Sequence, residues 1–465
     1  MNSDSGSAAT SSDFVEPTNA RAGRNRRIGV SARAAIAARA SVGLVAVATV
    51  PLGIGHLGTE RYGIWVALTS FASMLVFGDL GIGNGLVNVL SVAHARNDRE
   101  AARRLVSAAV ALVSVCAIAF ATASVLLVAL VPWGSILSAR TLVAFQEATW
   151  TAAAFLFLVT ISLPLSLIER IRLGYQEGQI NSIWAIAGAV TSVAGLLLAI
   201  AANLTLPGVV LLTSGPPLLM TALNGVRLFG VDRKWLRPNL RLVDRGTIRE
   251  LAKVGFLFLI LQLAVAVAYQ SDVLVAANVL GPDAAATYSV TFNLFMLAPS
   301  LMGLGLTVIW PAYTEAIARG DSSWVRQTLR RTIAWSLAGV TVVSLGLVLV
   351  SGYAIGLLTQ GQIEPPIGLV IGMAIWAILR SLFNCIAILM NAATVVRFQV
   401  TIAVLMSIGS IGASYTLARI IGIEGIIWGT VVAYVLLAAI PTLLYLPGLL
   451  RQIDRAGVLT PERLD

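Results

Sequence analysis

The sequence predicts an all-α integral membrane protein with about twelve transmembrane helices, arranged as two parallel six-helix bundles. Three observations support this prediction: apolar segments that recur along the chain, basic residues confined to alternate gaps, and a weak repeat between the two halves. The chain has 465 residues, of which 57% are hydrophobic and only 12% are charged. Water-soluble domains carry about twice that share of charge, so this composition favours a protein that lies mostly within a bilayer.

The apolar segments begin after a polar tail and continue almost to the end of the chain. Residues 1–35 are rich in Ser, Ala and Thr and end in an arginine cluster, which predicts a disordered cytoplasmic tail. Each later segment is close to the roughly 20 residues that cross a bilayer as a helix. The predicted spans are 36–57, 62–91, 105–131, 149–172, 179–201, 205–226, 254–280, 285–313, 330–352, 366–391, 397–418 and 425–447.

Basic residues give the predicted topology. Of the 32 Lys and Arg residues, 28 lie in or beside alternate gaps between spans, whereas Arg61, Arg140 and Arg419 lie in the intervening gaps. Basic loops stay on the cytoplasmic side, so both termini are predicted to be cytoplasmic. Loops that lie beside anionic lipid also explain the formal net charge of +10, and no nucleic-acid partner is predicted.

A weak internal repeat divides the spans into two halves. A shift of 223 residues places Leu57–Gly58 on Leu280–Gly281. The same shift places Tyr175–Gln176 on Phe398–Gln399. Each half has an even number of spans, so the halves have the same orientation, and substrates of transporters built this way bind between the halves. The predicted divisions after the tail are a bundle at 36–226, a basic linker at 227–253, a second bundle at 254–447 and a cytoplasmic tail at 448–465.

Four segments carry a resemblance to a known family. Residues 77–90 read FGDLGIGNGLVNVL, 174–184 read GYQEGQINSIW, 269–272 read YQSD and 310–315 read WPAYTE. In their order and spacing they resemble the Wzx-type oligosaccharide flippases of the multidrug/oligosaccharidyl-lipid/polysaccharide exporter superfamily. The resemblance implies two six-helix bundles around a V-shaped cavity. It also implies export of an undecaprenyl-diphosphate-linked oligosaccharide across the bacterial inner membrane. The implied partners are that glycolipid, membrane lipids, a polysaccharide polymerase and chain-length machinery.

Two arginines are candidates for binding the diphosphate. Arg380 lies about 14 residues into span 10, near the midplane, where a bare charge costs at least ~3 kcal/mol. A guanidinium binds phosphate oxygens in a bidentate fork, although Arg380 could equally pair with an acid from another helix. Arg39 lies at the cytoplasmic mouth of span 1, where it could receive the diphosphate or simply extend towards the headgroups.

Two acidic residues are candidates for coupling or gating. Asp272 lies about 18 residues into span 7, where it could bind a proton or cation that resets the transporter, or pair with Arg380. Asp79 precedes several glycines that weaken span 2, so it could act in gating. Alternatively, Asp79 could cap a restarted helix segment, or the segment could serve close helix packing.

Uncharged amides within or beside spans are candidates for sugar contacts. They are Gln262, Asn293, Asn384 and Asn391. Each could bind glycan hydroxyls, or could hydrogen-bond to a neighbouring helix.

Other functions remain open from the sequence. A cation-coupled exporter of drugs or other small molecules would be expected to carry an acid in span 1, which has none. A lipid II flippase usually has two further spans and more arginines in its cavity. A polymerase or ligase needs catalytic groups on a long outer loop, but the longest outer gap offers only Arg140 and Glu147. A scaffold without transport would leave the polar residues at midplane depth without a use. No enzyme activity, cofactor or metal site is predicted.

Overall fold

The structure is a computed structural model that describes residues 17–74, 80–137, 139, 141–358 and 363–455. Within these ranges the chain forms helices joined by short turns, with no β-strand. The α-helices are α1 (Pro17–Met74), α2 (Ile82–Ala95), α3 (Arg99–Leu130), α4 (Trp133–Ile136), α5 (Leu142–Gly174), α6 (Gly178–Ala201), α7 (Leu206–Arg227), α8 (Arg245–Leu280), α9 (Pro282–Ala318), α10 (Ser322–Leu358), α11 (Ile367–Ala392), α12 (Val396–Ile421), α13 (Ile423–Tyr434) and α14 (Ile440–Arg455). Short π- and 3₁₀-helical turns occupy Leu228–Asp232, Lys234–Leu236, Leu240–Leu242 and Val435–Ala439.

The helices match the predicted spans. Ten helical segments of the described chain are long and apolar enough to cross a membrane, and they correspond in order to predicted spans 3–12. Predicted span 1 lies within the part of α1 before Gly58, and α1 also covers residues 17–35, which were predicted to belong to a disordered tail. Predicted span 2 is divided between the remainder of α1 and α2, and residues 75–79 between them lie outside the described ranges. The prediction of an all-α, multi-pass membrane protein is therefore confirmed.

The backbone repeats its turn geometry along the chain. Gly58 breaks α1 with φ 77° and ψ 166°, and Gly281 separates α8 from α9 with φ 95° and ψ 173°. These two glycines are the pair that the 223-residue shift aligns. Positive φ is strained for residues with a β-carbon, so glycine suits both breaks. The next turns also repeat at this shift, with positive φ at Asn97 and Gly320.

The single shift of 223 residues fails further along the chain. The turn after α5 has its positive φ at Gln176, and the turn after α11 has it at Thr394. Asn97 and Gln176 are 79 positions apart, whereas Gly320 and Thr394 are 74 apart. The short helix α4 lies within the longer stretch. The predicted alignment of Gln176 with Gln399 is therefore wrong, because loop length can change by several residues at little cost in free energy.

Alternate turns and loops lie at one end of the helices, and they carry six basic residues: Arg96, Arg233, Lys234, Arg237, Arg241 and Arg319. We call this end the basic end; it comprises residues 96–98, 175–177, 228–244, 319–321 and 393–395. Apolar side chains on the outside of the helices are widely exposed: Leu349 is 85% exposed and Leu130 is 77% exposed. Lipid, rather than water, is the medium in which such surfaces are stable.

Candidate functional site

Asp272 lies at the centre of a buried polar cluster in the C-terminal helices. Its side chain, on α8, is 2% exposed. It accepts a hydrogen bond from Tyr288 Oη on α9 at 2.7 Å and one from Thr430 Oγ1 on α13 at 2.8 Å. Ser414 Oγ on α12 is 3.2 Å from the second carboxylate oxygen. One acidic side chain therefore connects four helices.

The hydroxyl groups of this cluster have fewer protons to donate than there are acceptors around them. Ser414 Oγ is also 2.8 Å from the carbonyl oxygen of Ile426 and 3.0 Å from Thr430 Oγ1. A hydroxyl donates only one proton, so Ser414 cannot satisfy all of these acceptors at once. Burial of an ionised carboxylate among hydroxyls alone is unfavourable, and either a proton or a bound cation would relieve this cost. No ion pair joins Asp272 to Arg380 in the described part of the chain.

Arg380 and Asn384 lie side by side on α11. Arg380 is half-buried, and its Nη1 is 3.3 Å from the sulfur of Met296 on α9. Asn384 follows one turn later, on the same face of the helix. Its Nδ2 lies 3.7 Å from the position that a β-carbon on Gly303 of α9 would occupy. The structure thus places one predicted cation and one predicted amide together against α9, near the middle of the predicted span.

Gln262 and Asn293, two of the predicted sugar contacts, make hydrogen bonds within their own helices. Arg39 is exposed on α1. Gln262 donates a hydrogen bond to the backbone carbonyl one turn earlier at 3.3 Å, and Asn293 is 3.5 Å from a serine hydroxyl of its own helix. Asp79 lies outside the described residues.

Asn391, a predicted sugar contact, lies where the two halves meet at the basic end. Its side-chain oxygen accepts a hydrogen bond from Gln399 at 2.9 Å, and its backbone carbonyl accepts one from Asn88 Nδ2 at 2.7 Å. Asn88, on α2, also accepts a hydrogen bond from the indole of Trp310 at 2.6 Å. Asn88 and Trp310 are 1% and 6% exposed, so a buried polar link joins α2 to α9 and α11.

A second polar link joins the halves at the same end. The amide of Gln176 donates a hydrogen bond to the carboxylate of Glu315 at the end of α9. The other oxygen of Glu315 is 3.0 Å from Nη2 of Arg319, one turn later. Gln176 and Glu315 are 4% and 2% exposed. The turn after α5 is therefore anchored to the C-terminal half.

Glycines allow the backbones of the two halves to touch near these links. A β-carbon on Gly255 of α8 would lie 3.1 Å from the backbone of Ile82 on α2. A β-carbon on Gly81 would lie 2.3 Å from the carbonyl oxygen of Gly255. Gly81 also has φ 73°, a conformation that favours glycine. The glycine-rich segment 80–85 thus serves close packing against α8, which was one of the predicted alternatives.

Arg172 forms a buried network of hydrogen bonds that was not predicted from the sequence. By sequence it is one of the 28 basic residues in or beside alternate gaps, but its side chain is fully buried at the end of α5. Its guanidinium donates to Asn224 at 2.6 Å, to Glu177 at 2.8 Å and to Asp232 at 2.9 Å. Glu177, five residues after Arg172, was the sequence signal for this contact, because opposite charges on either side of a turn favour an ion pair. No three His, Cys, Asp or Glu side chains of the described residues form a group that could hold a metal ion.

Solved structures of transporters share this fold. A MATE protein in its bent conformation is 14% identical, with a TM-score of 0.77, and the match covers 95% of this chain and 97% of that one. The Vibrio cholerae MATE transporter VcmN in its bent form is 15% identical, with a TM-score of 0.76 over 94% and 99% of the two chains. A MOP superfamily transporter from Pyrococcus furiosus is 14% identical, with a TM-score of 0.75 over 93% and 97%. At these identities the similarity shows the fold alone.

Sequence comparison identifies the family. No curated protein sequence matches this chain. Residues 36–317, more than half of the chain, match the family described as polysaccharide biosynthesis protein. The chain belongs to the polysaccharide biosynthesis protein family.

Proposed function

We propose that the protein is a flippase for an undecaprenyl-diphosphate-linked oligosaccharide. It would carry the headgroup from the cytoplasmic to the outer leaflet of the bacterial inner membrane by alternating access. Membership of the polysaccharide biosynthesis family supports a glycan as cargo, and the MATE-like fold supports two halves that rock against each other. The observation that carries the proposal is the half-buried Arg380 beside Asn384 at the middle of a membrane span.

Arg380 fits the chemistry that a lipid diphosphate requires. Charge at the bilayer centre costs at least ~3 kcal/mol, so a diphosphate crosses readily only where cations replace water. A guanidinium has five N–H donors, and the Met296 thioether that Arg380 contacts is a weak acceptor. A phosphate oxygen would therefore displace the sulfur. Asn384 would bind an adjacent sugar hydroxyl, and Arg39 would bind the diphosphate on entry.

The polar links at the basic end are proposed to form the cytoplasmic gate. Positively charged loops favour the cytoplasm, so the basic end would face it. The Asn88–Trp310 and Gln176–Glu315 contacts close the two halves at that end. Both contacts must separate before a headgroup enters from the cytoplasm. Both termini would be cytoplasmic in this orientation.

Asp272 is proposed to couple transport to a proton or cation. Its carboxylate joins α8, α9, α12 and α13 through hydroxyls. Neutralising the acid would change the hydrogen bonds among four helices at once. Asp272→Asn is expected to retain binding of the glycolipid but to slow its turnover. Loss of binding in this variant would contradict the coupling role.

Depletion of the protein in its native host tests the flippase. We expect the undecaprenyl-linked repeat unit to accumulate, as read by mass spectrometry, while surface polysaccharide is lost. Re-expression of Arg380→Lys should restore part of the export and Arg380→Ala none, because only the former keeps a cation. Arg104→Ala, at an exposed residue of α3, is the matched control and should restore export fully.

The same experiment separates the competing functions. Accumulation of lipid II would assign the cargo to peptidoglycan synthesis. An unchanged pool of lipid-linked glycans would refute the flippase. The buried Asp272 cluster then favours a cation-coupled exporter of small molecules, which increased sensitivity of the depleted cells to cationic dyes would reveal.

A further inference from the structure

A small cavity lies at the basic end of the N-terminal half, away from Arg380. Its volume is about 200 Å³. Drug-sized ligands fill pockets of roughly 300–1,000 Å³, so this cavity suits a smaller group. It is lined by the end of α2, the start of α3, the turn after α5 and the linker, through Ala93, His94, Asn97, Asp98, Arg99, Tyr175, Arg233 and Trp235.

Two arginines of the cavity are each held against an aromatic ring. The guanidinium of Arg233 stacks 3.9 Å from the centre of the Tyr175 ring, and that of Arg99 lies 5.5 Å from the centre of the Trp235 ring. The His94 ring packs edge-on against Tyr175, with 4.8 Å between centroids. Contacts between cations and rings restrict the side chains, so the donors are already oriented.

The carboxylates near the cavity are occupied. Asp98 caps α3 by accepting a hydrogen bond from its backbone at 2.9 Å. Glu177 binds Arg172 at 2.8 Å and Arg233 at 2.5 Å. Neither acid forms an ion pair with Arg99 among the residues that the structure describes. The eight basic residues of the adjoining segment 227–253 add to the positive potential.

Two buried polar atoms at the cavity residues lack a partner in the described structure. They are the hydroxyl of Tyr175 and the Nε of Arg233. Tyr175 is 4% exposed, and burial raises the pKa of its hydroxyl to about 12, so it remains a donor at neutral pH. Buried donors without acceptors are unfavourable, and both of these belong to residues that line one cavity.

We propose that this cavity binds a phosphate group, with Arg99, Arg233 and His94 around the anion and Tyr175 as a further donor. A phosphate fits the size of the cavity, and guanidinium groups match its oxygens. The site is distinct from Arg380 and does not depend on which cargo the protein carries. The source is either the headgroup of an anionic phospholipid, which basic sites at the cytoplasmic side of membrane helices bind, or a soluble phosphate.

The phosphate site adjoins the second polar link between the halves. Tyr175, which lines the cavity, is followed directly by Gln176, which donates to Glu315 of the C-terminal half. An anion that fixes Arg233 and Tyr175 would also fix this turn. Occupancy of the site is therefore expected to favour the closed arrangement of the basic end.

Native mass spectrometry of the full-length protein tests the site. The protein is released from nanodiscs of phosphatidylcholine containing phosphatidylglycerol, and the phosphatidylglycerol that it retains is measured. In a separate titration with inorganic phosphate, the melting temperature of the protein is followed. Arg99→Gln changes an exposed side chain, so folding is not expected to suffer. Tyr175→Phe removes only the unpartnered hydroxyl. Arg104→Gln, an exposed arginine that lies outside the cavity on the same helix, is the matched control.

Each outcome supports or overturns the site. Retained phosphatidylglycerol that falls about tenfold in Arg99→Gln, but not in Arg104→Gln, would support a lipid headgroup, because one charged hydrogen bond is worth about that factor. A rise in melting temperature with inorganic phosphate, lost in the same variant, would support a soluble phosphate. A smaller loss in Tyr175→Phe is expected in either case. Equal losses in Arg99→Gln and Arg104→Gln, or no binding of either probe, would overturn the proposal.

Discussion

Asn88→Leu should open the basic end of the molecule. Asn88 accepts the indole proton of Trp310 and donates to the carbonyl of Asn391. Leucine has a similar size but can do neither. The Asn391 carbonyl keeps a hydrogen bond from the backbone of Thr394 at 3.1 Å, whereas the buried indole N–H loses its acceptor. An orphaned buried donor costs about 1–3 kcal/mol, and a loss of about 2 kcal/mol shifts the equilibrium about 30-fold towards separation.

Distances between spin labels on the two halves measure this shift. Cysteines would replace the exposed Glu100 on α3 and Ser323 on α10, in a background without Cys116 and Cys385. Asn278→Leu is the matched control, because it removes a hydrogen bond of 2.8 Å within α8 alone. We expect a longer and broader distance distribution in the Asn88 variant and the original distribution in the control.

Two outcomes of the distance measurement would refute this reasoning. If Asn88→Leu keeps the original distribution and melting temperature, the buried link does not hold the halves together. If both variants broaden the distribution, the effect is general destabilisation rather than the opening of a gate. Either result would remove the Asn88–Trp310 contact from the proposed mechanism.

Three further predictions follow from described contacts. Arg172→Ala should destabilise the protein by about 2–5 kcal/mol, because it leaves a cavity at a fully buried site and removes the guanidinium that joins Asn224, Glu177 and Asp232. Arg104→Ala should change stability by less than about 1 kcal/mol, and thermal unfolding in detergent compares the two variants. Gly255→Val should push α8 away from the backbone of Ile82 and lower export in complementation, while unchanged export would show that the close approach is dispensable. Hydrogen bonds from the side chain and backbone of Thr247 hold the pKa of Asp244 below its usual value. The ionised Asp244 carboxylate therefore stabilises the folded protein at pH values above the pKa that this group has in the unfolded chain. This stabilisation is lost as the pH falls through the lower pKa that it has in the folded protein. Asp244→Asn should keep the helix cap but flatten this part of the acid limb of the melting-temperature profile.

The fold could be predicted because its determinants are local. Each span can be recognised by its length and apolar content, and the alternation of basic loops predicts the orientation of successive helices. The breaks at Gly58 and Gly281 were visible as a repeated Leu-Gly pair. The constant shift was wrong after α4, because hydropathy does not register how many residues a connecting loop contains.

The candidate site could be predicted in its charged members and in the amides Asn384 and Asn391, but not in the residues that these contact. Arg380 and Asp272 stand out because a charge in an apolar segment is costly and requires an explanation. Trp310 and Asn88 do not stand out, since tryptophan is common at span ends and an asparagine at a span end is unremarkable. Their contact joins residues 222 positions apart, and no periodicity within a helix reports such a distance.

Hydroxyl residues show most clearly why partners escape prediction. Thr401 and Thr430 both lie in apolar helices with similar neighbours in sequence. Thr401 donates to the carbonyl four residues earlier, as hydroxyls in membrane helices commonly do, whereas Thr430 donates to Asp272. The difference depends on which face of α13 packs against α8, and that is decided by the whole bundle. A buried acid in a membrane sequence therefore predicts that partners exist, and only the packed structure identifies them as the hydroxyls of three other helices.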